Sequence, residues 1–385
     1  MSTEKNPSLS FRSLIQSMSV ISAGTLASRI LGFFRDIILA KFFGTGFRAD
    51  VFFVAFRIPN LFRDLVGEGA ANSAVVPVLS ERLQQEEREK FWRFVSIVLV
   101  LALVVLGFIT LAGILLAPLI VRLLAPGFIS SPDKLLLAVH LTKIVFPYLI
   151  FIGLTSYSMA VLYTFRKFAV PAFSPCLLNI AIIISALLSV RFLKEPVYGL
   201  AAGVLIGGLL QLAVQIPPLF KIGYSFQKPS SVRQPGVVQI GKLLIPRLIG
   251  GGIYQLTTFI DTFCASLALI VGAGGISAIY YSNRLIRLPM GVFSLALASA
   301  VLPVLSTLVA KKDIEQLRRT VVFSLENILF VMAPFSVIMM VLSEPIIRIL
   351  FQRGEFDAYS TAITSSALLF YSIGLFAFGG IKILV

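Results

Sequence analysis

Long apolar stretches separated by short polar connections run through nearly the whole chain. A helix needs about 20 predominantly apolar residues to cross a bilayer. Ten segments reach that length: 13–43, 47–80, 92–125, 136–163, 169–192, 197–220, 240–271, 275–309, 320–350 and 358–385. The pattern predicts an all-α polytopic membrane protein with about ten transmembrane helices and no separate aqueous domain.

The apolar pattern also repeats along the chain. The sequence AVVPVLS at 74–80 returns as AVLPVLS at 300–306, and two shorter matches recur in the same order at nearly the same offset. Those matches are RIP at 57–59 with RLP at 287–289, and PLIVR at 118–122 with PIIR at 345–348. Six spans separate equivalent positions, so both copies run in the same direction through the membrane. Parallel repeats of this kind are common in transporters, with the substrate site between the halves.

The repeat predicts two lobes, an N-terminal lobe of six helices at 1–225 and a C-terminal lobe of four helices at 226–385. Two spans follow the fourth one in the first copy, whereas the second copy stops after its fourth span, on the apolar run KILV. By this symmetry at least two helices, about 60 residues, are missing. Either the protein is naturally short or the sequence is incomplete, and we expect the second.

Composition agrees with the membrane class. The chain is 57% hydrophobic and 13% charged, with a mean hydropathy of +0.95, whereas soluble proteins carry about 25% charged residues. The net charge of +15 resides mostly on residues that flank apolar spans, which indicates contact with lipid headgroups and not with nucleic acid. The predicted cytoplasmic loops hold 14 Lys and Arg residues against eight in the opposite loops, so we expect a cytoplasmic N-terminus.

Four arginines lie inside the apolar stretches: Arg29, Arg35, Arg63 and Arg284. An arginine at the bilayer centre costs about 2.5–3.5 kcal/mol on insertion scales, so such residues usually face a watery cavity and serve a function. Guanidinium groups bind phosphate through bidentate hydrogen bonds. Several of them converging in one cavity would hold a polyanionic headgroup.

Helical spacing organises the polar residues of the first span. Ser28 and Arg35 are seven residues apart, as are Arg29 and Asp36, so the two rows form one polar stripe on a helix. The stripe fits a helix that lines a cavity. An alternative interpretation is that Arg35 and Asp36 pair with partners on neighbouring helices.

Two further spans carry polar candidates. In the second span, Pro59 removes a backbone hydrogen bond and two glycines flank Glu68, so we expect a broken helix that lines a cavity beside Arg63. Asp261 stands alone in the apolar seventh span. It is a candidate ion or proton site, or half of a structural ion pair.

Signals for catalysis are weak. His140 is the only histidine, and the sequence has no Gly-rich phosphate loop, metal-ligand cluster or nucleophile with a base. The pattern favours a transporter over an enzyme that acts on polyprenyl phosphates. A non-transporting scaffold remains an alternative.

Several segments resemble the MurJ (MviN) family of lipid II flippases. They are SRILGFFRD at 28–36, ADVFFVAFRIPNLFR at 49–63, GEGA at 67–70, the PVL that begins at Pro77, and YYSNR at 280–284. The resemblance covers essentially the whole chain. It implies a two-lobed exporter fold, in a superfamily that includes multidrug exporters and O-antigen flippases. Family members usually have fourteen helices, and this sequence resembles the first ten.

The resemblance also implies roles for individual residues. Arg29, Arg35, Arg63 and Arg284 match the cavity arginines that engage the lipid II pyrophosphate, and Asp36 and Asp50 match functional acidic positions. Asp261 matches an acid that helps bind sodium in some members, together with two helices that this sequence lacks. The chain departs from the family at Asn283 and Arg287, where many members have acids.

The function we predict is translocation of lipid II from the inner to the outer leaflet of the bacterial cytoplasmic membrane by alternating access. The expected substrate site is Arg29, Arg35, Arg63, Arg284, Ser28 and Asp36, with Asp261 and Asp50 as coupling or ion residues. We expect a monomer among membrane lipids, with no cofactor, no metal site and no nucleic acid partner, coupled to sodium or protons. The alternative is a cation-coupled exporter of another lipid-linked oligosaccharide or of a drug.

Overall fold

A computed structural model describes residues 11–62, 71–228, 234–267 and 271–384, and all regular secondary structure in these ranges is helical. The prediction of an all-α fold is therefore confirmed. The helices in chain order are α1 (Phe11–Phe43), α2 (Phe47–Phe62), α3 (Ala71–Gln85), α4 (Arg88–Leu124), α5 (Pro132–Val145), α6 (Tyr148–Thr164), α7 (Ala169–Phe192), α8 (Val197–Ala213), α9 (Ile216–Lys221), α10 (Pro235–Ser266), α11 (Gly275–Pro289), α12 (Leu295–Ala310), α13 (Ile314–Val341), α14 (Ser343–Phe351), α15 (Ala358–Ile373) and α16 (Leu375–Leu384).

Within the described ranges, six helical spans are long and apolar enough to cross a membrane: Ile15–Phe43, Arg88–Leu124, Pro132–Thr164, Ala169–Phe192, Val197–Lys221 and Ile314–Val341. A seventh follows if Ala358–Ile373 and Leu375–Ile381, which meet at a 48° bend, count as one broken span.

The other three predicted spans fall on α2 with α3, on α10, and on α11 with α12. The second predicted span comprises α2 and α3, with residues 63–70 outside the described ranges, and the seventh falls on α10. The eighth falls on α11 and α12, which a π-helical turn, Met290–Ser294, joins directly after Pro289. The count of ten spans stays a prediction.

The contacts divide the chain into two compact units. The first is Met1–Ile38 with Val51–Cys264, and the second is Leu39–Asp50 with Ala265–Val385. The turn between α1 and α2 thus packs with the second unit, and most of α10 packs with the first. The lobes expected at 1–225 and 226–385 rest on the repeat and stay a prediction.

Small residues bring two helices of the first unit into close contact. Gly199, Gly203 and Gly207 recur every four residues on α8, and a methyl group added to any of them would strike α7. Stripes of small residues at this spacing let membrane helices approach closely. This packing positions α7 rigidly beside the polar end of α1.

An aromatic cluster completes the same unit at the ends of α4 and α6. The Trp92 ring stacks on Phe165 with centroids 5.3 Å apart and meets Tyr224 edge-on at 5.5 Å. The backbone N–H of Gln227 donates to Ser96 Oγ at 3.0 Å. These contacts fasten the segment that follows α9 to the start of α4.

Candidate functional site

The polar stripe predicted on α1 contains a buried ion pair. Arg35 donates from Nε and Nη2 to Asp36 Oδ1, at 3.0 and 2.6 Å. Adjacent residues do not face each other on a helix, so the long arginine side chain folds across the helix surface to reach its neighbour. Arg35 is 6% exposed and Asp36 is fully buried. Arg35 is therefore a paired guanidinium, as in the alternative interpretation of the sequence. Its carboxylate partner, Asp36, lies on the same helix.

The second partner of this guanidinium is Asn179, on α7. Arg35 Nη1 donates to Asn179 Oδ1 at 3.1 Å. Asn179 Nδ2 in turn donates to the Ser28 carbonyl oxygen at 3.1 Å and lies 3.5 Å from Ser28 Oγ. The structure therefore brings Ser28, Arg35 and Asp36 together around Asn179, and we call these four residues the α1–α7 polar cluster.

The other predicted arginines lie elsewhere. Arg29 is on the exposed side of α1, and Arg284 is half-buried on α11 in the second unit. Arg63 lies outside the described residues. The convergence of all four on one headgroup stays a prediction.

Asp50 is buried in the second unit, 2% exposed, beside the first turn of α11. Its Oδ1 accepts from the Ser277 backbone N–H at 3.0 Å and from Ser277 Oγ at 2.7 Å. The first N–H groups of a helix lack partners within the helix, and a carboxylate there satisfies them and suits the helix dipole. Asp50 therefore anchors the α1–α2 turn to α11, and a coupling role for it stays a prediction.

Further hydrogen bonds hold the same turn. Thr45 Oγ1 donates to Ser360 Oγ at 2.8 Å, and the Glu355 backbone N–H donates to the Lys41 carbonyl oxygen at 2.8 Å. Gly274 has φ +83°, and a Cβ there would collide with the Thr45 carbonyl. The turn is thus fitted closely against the segments that precede α11 and α15.

Asp261 is half-buried on α10. The next residue, Thr262, accepts from Arg57 Nε at 3.1 Å and donates to the Thr258 carbonyl oxygen at 2.8 Å. No group of three or more His, Cys, Asp or Glu side chains suited to a metal ion occurs in the part of the chain that the structure describes. A coupling role for Asp261 stays a prediction.

Two residues of these clusters were absent from the sequence-based site. Asn179 is the only side-chain amide in the apolar stretch 169–192, so the reasoning that singled out Asp261 could have found it. Ser277 carries no such signal, because a serine at the start of a helix is common.

This architecture defines a class of protein, the multi-pass helical membrane proteins. The chain is similar to a solved structure described as an inward-facing multidrug resistance MATE family transporter of the MOP superfamily. The similarity covers 92% of this chain and 80% of that one, with a TM-score of 0.69 and 15% identity. At that identity the likeness concerns the fold alone.

More specific matches identify the family. The family model described as lipid II flippase MurJ matches residues 39–385, so the chain belongs to the MurJ family. A probable lipid II flippase MurJ from Vibrio cholerae is 38% identical over 96% of this chain and 71% of its own length. The lipid II flippase MurJ from Burkholderia cenocepacia is 36% identical over 96% of this chain and 72% of its own.

A solved structure supports the same assignment. The chain is similar to a lipid II flippase MurJ in an inward closed conformation, with a TM-score of 0.78 and 31% identity over 94% of this chain and 74% of that one. The resemblance seen in the sequence motifs is confirmed. The protein is accordingly a transporter rather than an enzyme, and a multi-pass protein of the inner membrane.

Proposed function

We propose that the protein moves lipid II from the inner to the outer leaflet of the cytoplasmic membrane by alternating access. Membership of the MurJ family supports this substrate, and one structural observation carries the mechanism: α1 presents an exposed arginine, Arg29, beside the buried α1–α7 polar cluster. Guanidinium groups in a low-dielectric setting bind phosphate oxygens strongly. The pyrophosphate of the lipid is the group that we expect them to bind.

The arginines would act in different ways. Arg29 is exposed on α1, so we expect it to be the first of them to meet the headgroup. Arg35 already pairs with Asp36 and Asn179, so a phosphate would have to compete with a carboxylate for it. Arg63 and Arg284 would complete the site.

Alternating access requires some contacts to break and re-form as the protein changes conformation. The hydrogen bonds of the α1–α2 turn in the second unit, Asp50 with Ser277 and Thr45 with Ser360, are suitable contacts to break in that step. Coupling to sodium or protons through Asp261 or Asp50, a cytoplasmic N-terminus and a monomeric state belong to the same proposal.

The proposal is tested with protein reconstituted into liposomes that carry labelled lipid II, by following how fast the label becomes accessible from the opposite side. We expect Arg29→Ala to slow translocation about tenfold or more, because a charge-assisted hydrogen bond contributes about 1.5–3 kcal/mol. Arg29→Lys should retain part of the activity, since it keeps the charge.

The matched control is Arg191→Ala, which removes another exposed arginine, at the end of α7. Its rate should equal that of the unaltered protein. Equal rates for Arg29→Ala and the control would contradict the arginine mechanism. Failure of the unaltered protein to translocate lipid II while it translocates another pyrophosphate-linked glycan would contradict the substrate.

A further inference from the structure

Asn179 uses both ends of its amide in the α1–α7 polar cluster. The oxygen accepts from Arg35 Nη1, and the nitrogen donates to the Ser28 carbonyl. A guanidinium can only donate and a backbone carbonyl can only accept. The amide therefore has one satisfactory orientation, and that orientation fixes both the guanidinium and the backbone of α1.

The cluster lies on a close contact between α1 and α7. A Cβ added at Gly24 would come within 2.8 Å of three atoms of Ala172, so the two helices are in backbone contact just before the cluster. Helical side chains lean toward the N-terminus of their helix. This lean lets the Arg35 side chain reach back toward the level of Ser28, where its guanidinium donates a hydrogen bond to Asn179.

The partners of Arg35 differ in charge. Asp36 neutralises the guanidinium, whereas Asn179 orients it without adding negative charge. A neutral acceptor holds a guanidinium less strongly than a carboxylate does. The Asn179 side of Arg35 is therefore the side at which a phosphate oxygen can compete most easily.

We propose that Asn179 is a positioning residue for headgroup binding. It orients the Arg35 guanidinium so that a phosphate oxygen of the substrate can take the place of the Asn179 amide oxygen. This inference rests on the proposed function. It adds a residue on α7 to a site otherwise assigned to arginines and acids.

A double-mutant cycle tests this role, with the affinity for lipid II measured on purified protein in detergent micelles. We expect Asn179→Leu and Arg35→Ala each to weaken binding about tenfold. If Asn179 acts through Arg35, the double variant should bind no more weakly than Arg35→Ala alone. Additive losses, about a hundredfold in the double variant, would overturn the inference and leave the proposed function intact.

Asn179→Asp keeps an acceptor of the same size beside Arg35 and so covers the case in which the leucine variant does not fold. We expect it to weaken lipid II binding at least as much as Asn179→Leu, because a second carboxylate competes with phosphate. Unchanged or tighter binding by this variant would contradict the proposal.

Gly24→Ala is the structural control, because it disturbs the same helix contact without touching the cluster. We expect it to lower the melting temperature while the protein that stays folded keeps its affinity for lipid II. If Gly24→Ala weakened binding as much as Asn179→Leu does, Asn179 would have only a packing role. If Arg35→Ala bound normally, both this inference and the proposed role of Arg35 would fail.

Discussion

Asp36 in the first unit and Asp50 in the second are both buried carboxylates, yet they are stabilised in different ways. Asp36 pairs with a guanidinium, while Asp50 accepts hydrogen bonds from a backbone N–H and a hydroxyl. In the first case two charges depend on each other. In the second, the backbone N–H and hydroxyl of a residue at the start of a helix donate to the carboxylate. The first arrangement suits a site that exchanges anions, and the second suits an anchor that is made and broken as a whole.

The comparison predicts its largest effect at Asp36. We expect Asp36→Ala to lower the free energy of unfolding by about 3–5 kcal/mol, since it removes a carboxylate that pairs with the buried Arg35. Thermal unfolding of the purified protein in detergent measures the loss. Adding Arg35→Leu to Asp36→Ala should recover much of the stability, because it also removes the buried positive charge of that pair. A single variant as stable as the unaltered protein would show that the pair is not buried as described.

The sequence predicted this part of the molecule in outline. The length of the apolar runs was sufficient to predict an all-helical membrane fold. The seven-residue spacing of Ser28 and Arg35 placed them in one row, and the structure links both to Asn179. The row of Arg29 and Asp36 fitted less well, because Arg29 is exposed while Asp36 is buried. Helical periodicity states which residues share a face, but not which neighbouring helix covers it.

The partners could not be predicted in the same way. Arg35 and Asn179 are 144 residues apart, and Asp50 and Ser277 are 227 apart, so no local pattern connects them. The π-helical turn in the eighth predicted span was not predicted either, because prolines inside membrane helices are often tolerated. Here Pro289 is followed by a π-helical turn that connects α11 to α12.

A smaller effect is expected at Asp50. Asp50→Ala should lower the free energy of unfolding by about 1.5–3 kcal/mol, the contribution of a hydrogen bond to a charged group. The Ser277 N–H and hydroxyl that it leaves behind are uncharged, so the loss should be below that of Asp36→Ala in the same detergent. Because the anchor holds the α1–α2 turn, hydrogen exchange of the amides in 41–50 should increase at the same time. A loss larger than that of Asp36→Ala would reverse the comparison.

The smallest effect is expected at Asp357, which repeats the chemistry of Asp50 on the exposed surface at the start of α15. Its side chain accepts from the Ser360 backbone N–H at 2.8 Å. Hydrogen bonds from Ser360, the backbone N–H first, lower the pKa of this carboxyl below its ordinary value. A lowered pKa means that the stabilisation is present above the ordinary pKa of about 3.9 and is lost as the pH falls through the lower folded value.

We expect Asp357→Ala to lower the free energy of unfolding by about 1 kcal/mol at neutral pH, as for other helix N-caps. The difference from the unaltered protein should shrink below about pH 4. Asp357→Asn, which keeps an acceptor at the N-cap but cannot ionise, should lose less stability than Asp357→Ala at neutral pH and show no such change in acid. Thermal unfolding in detergent across that pH range checks both variants, and a constant difference between Asp357→Ala and the unaltered protein would show that the carboxylate charge adds nothing to this cap.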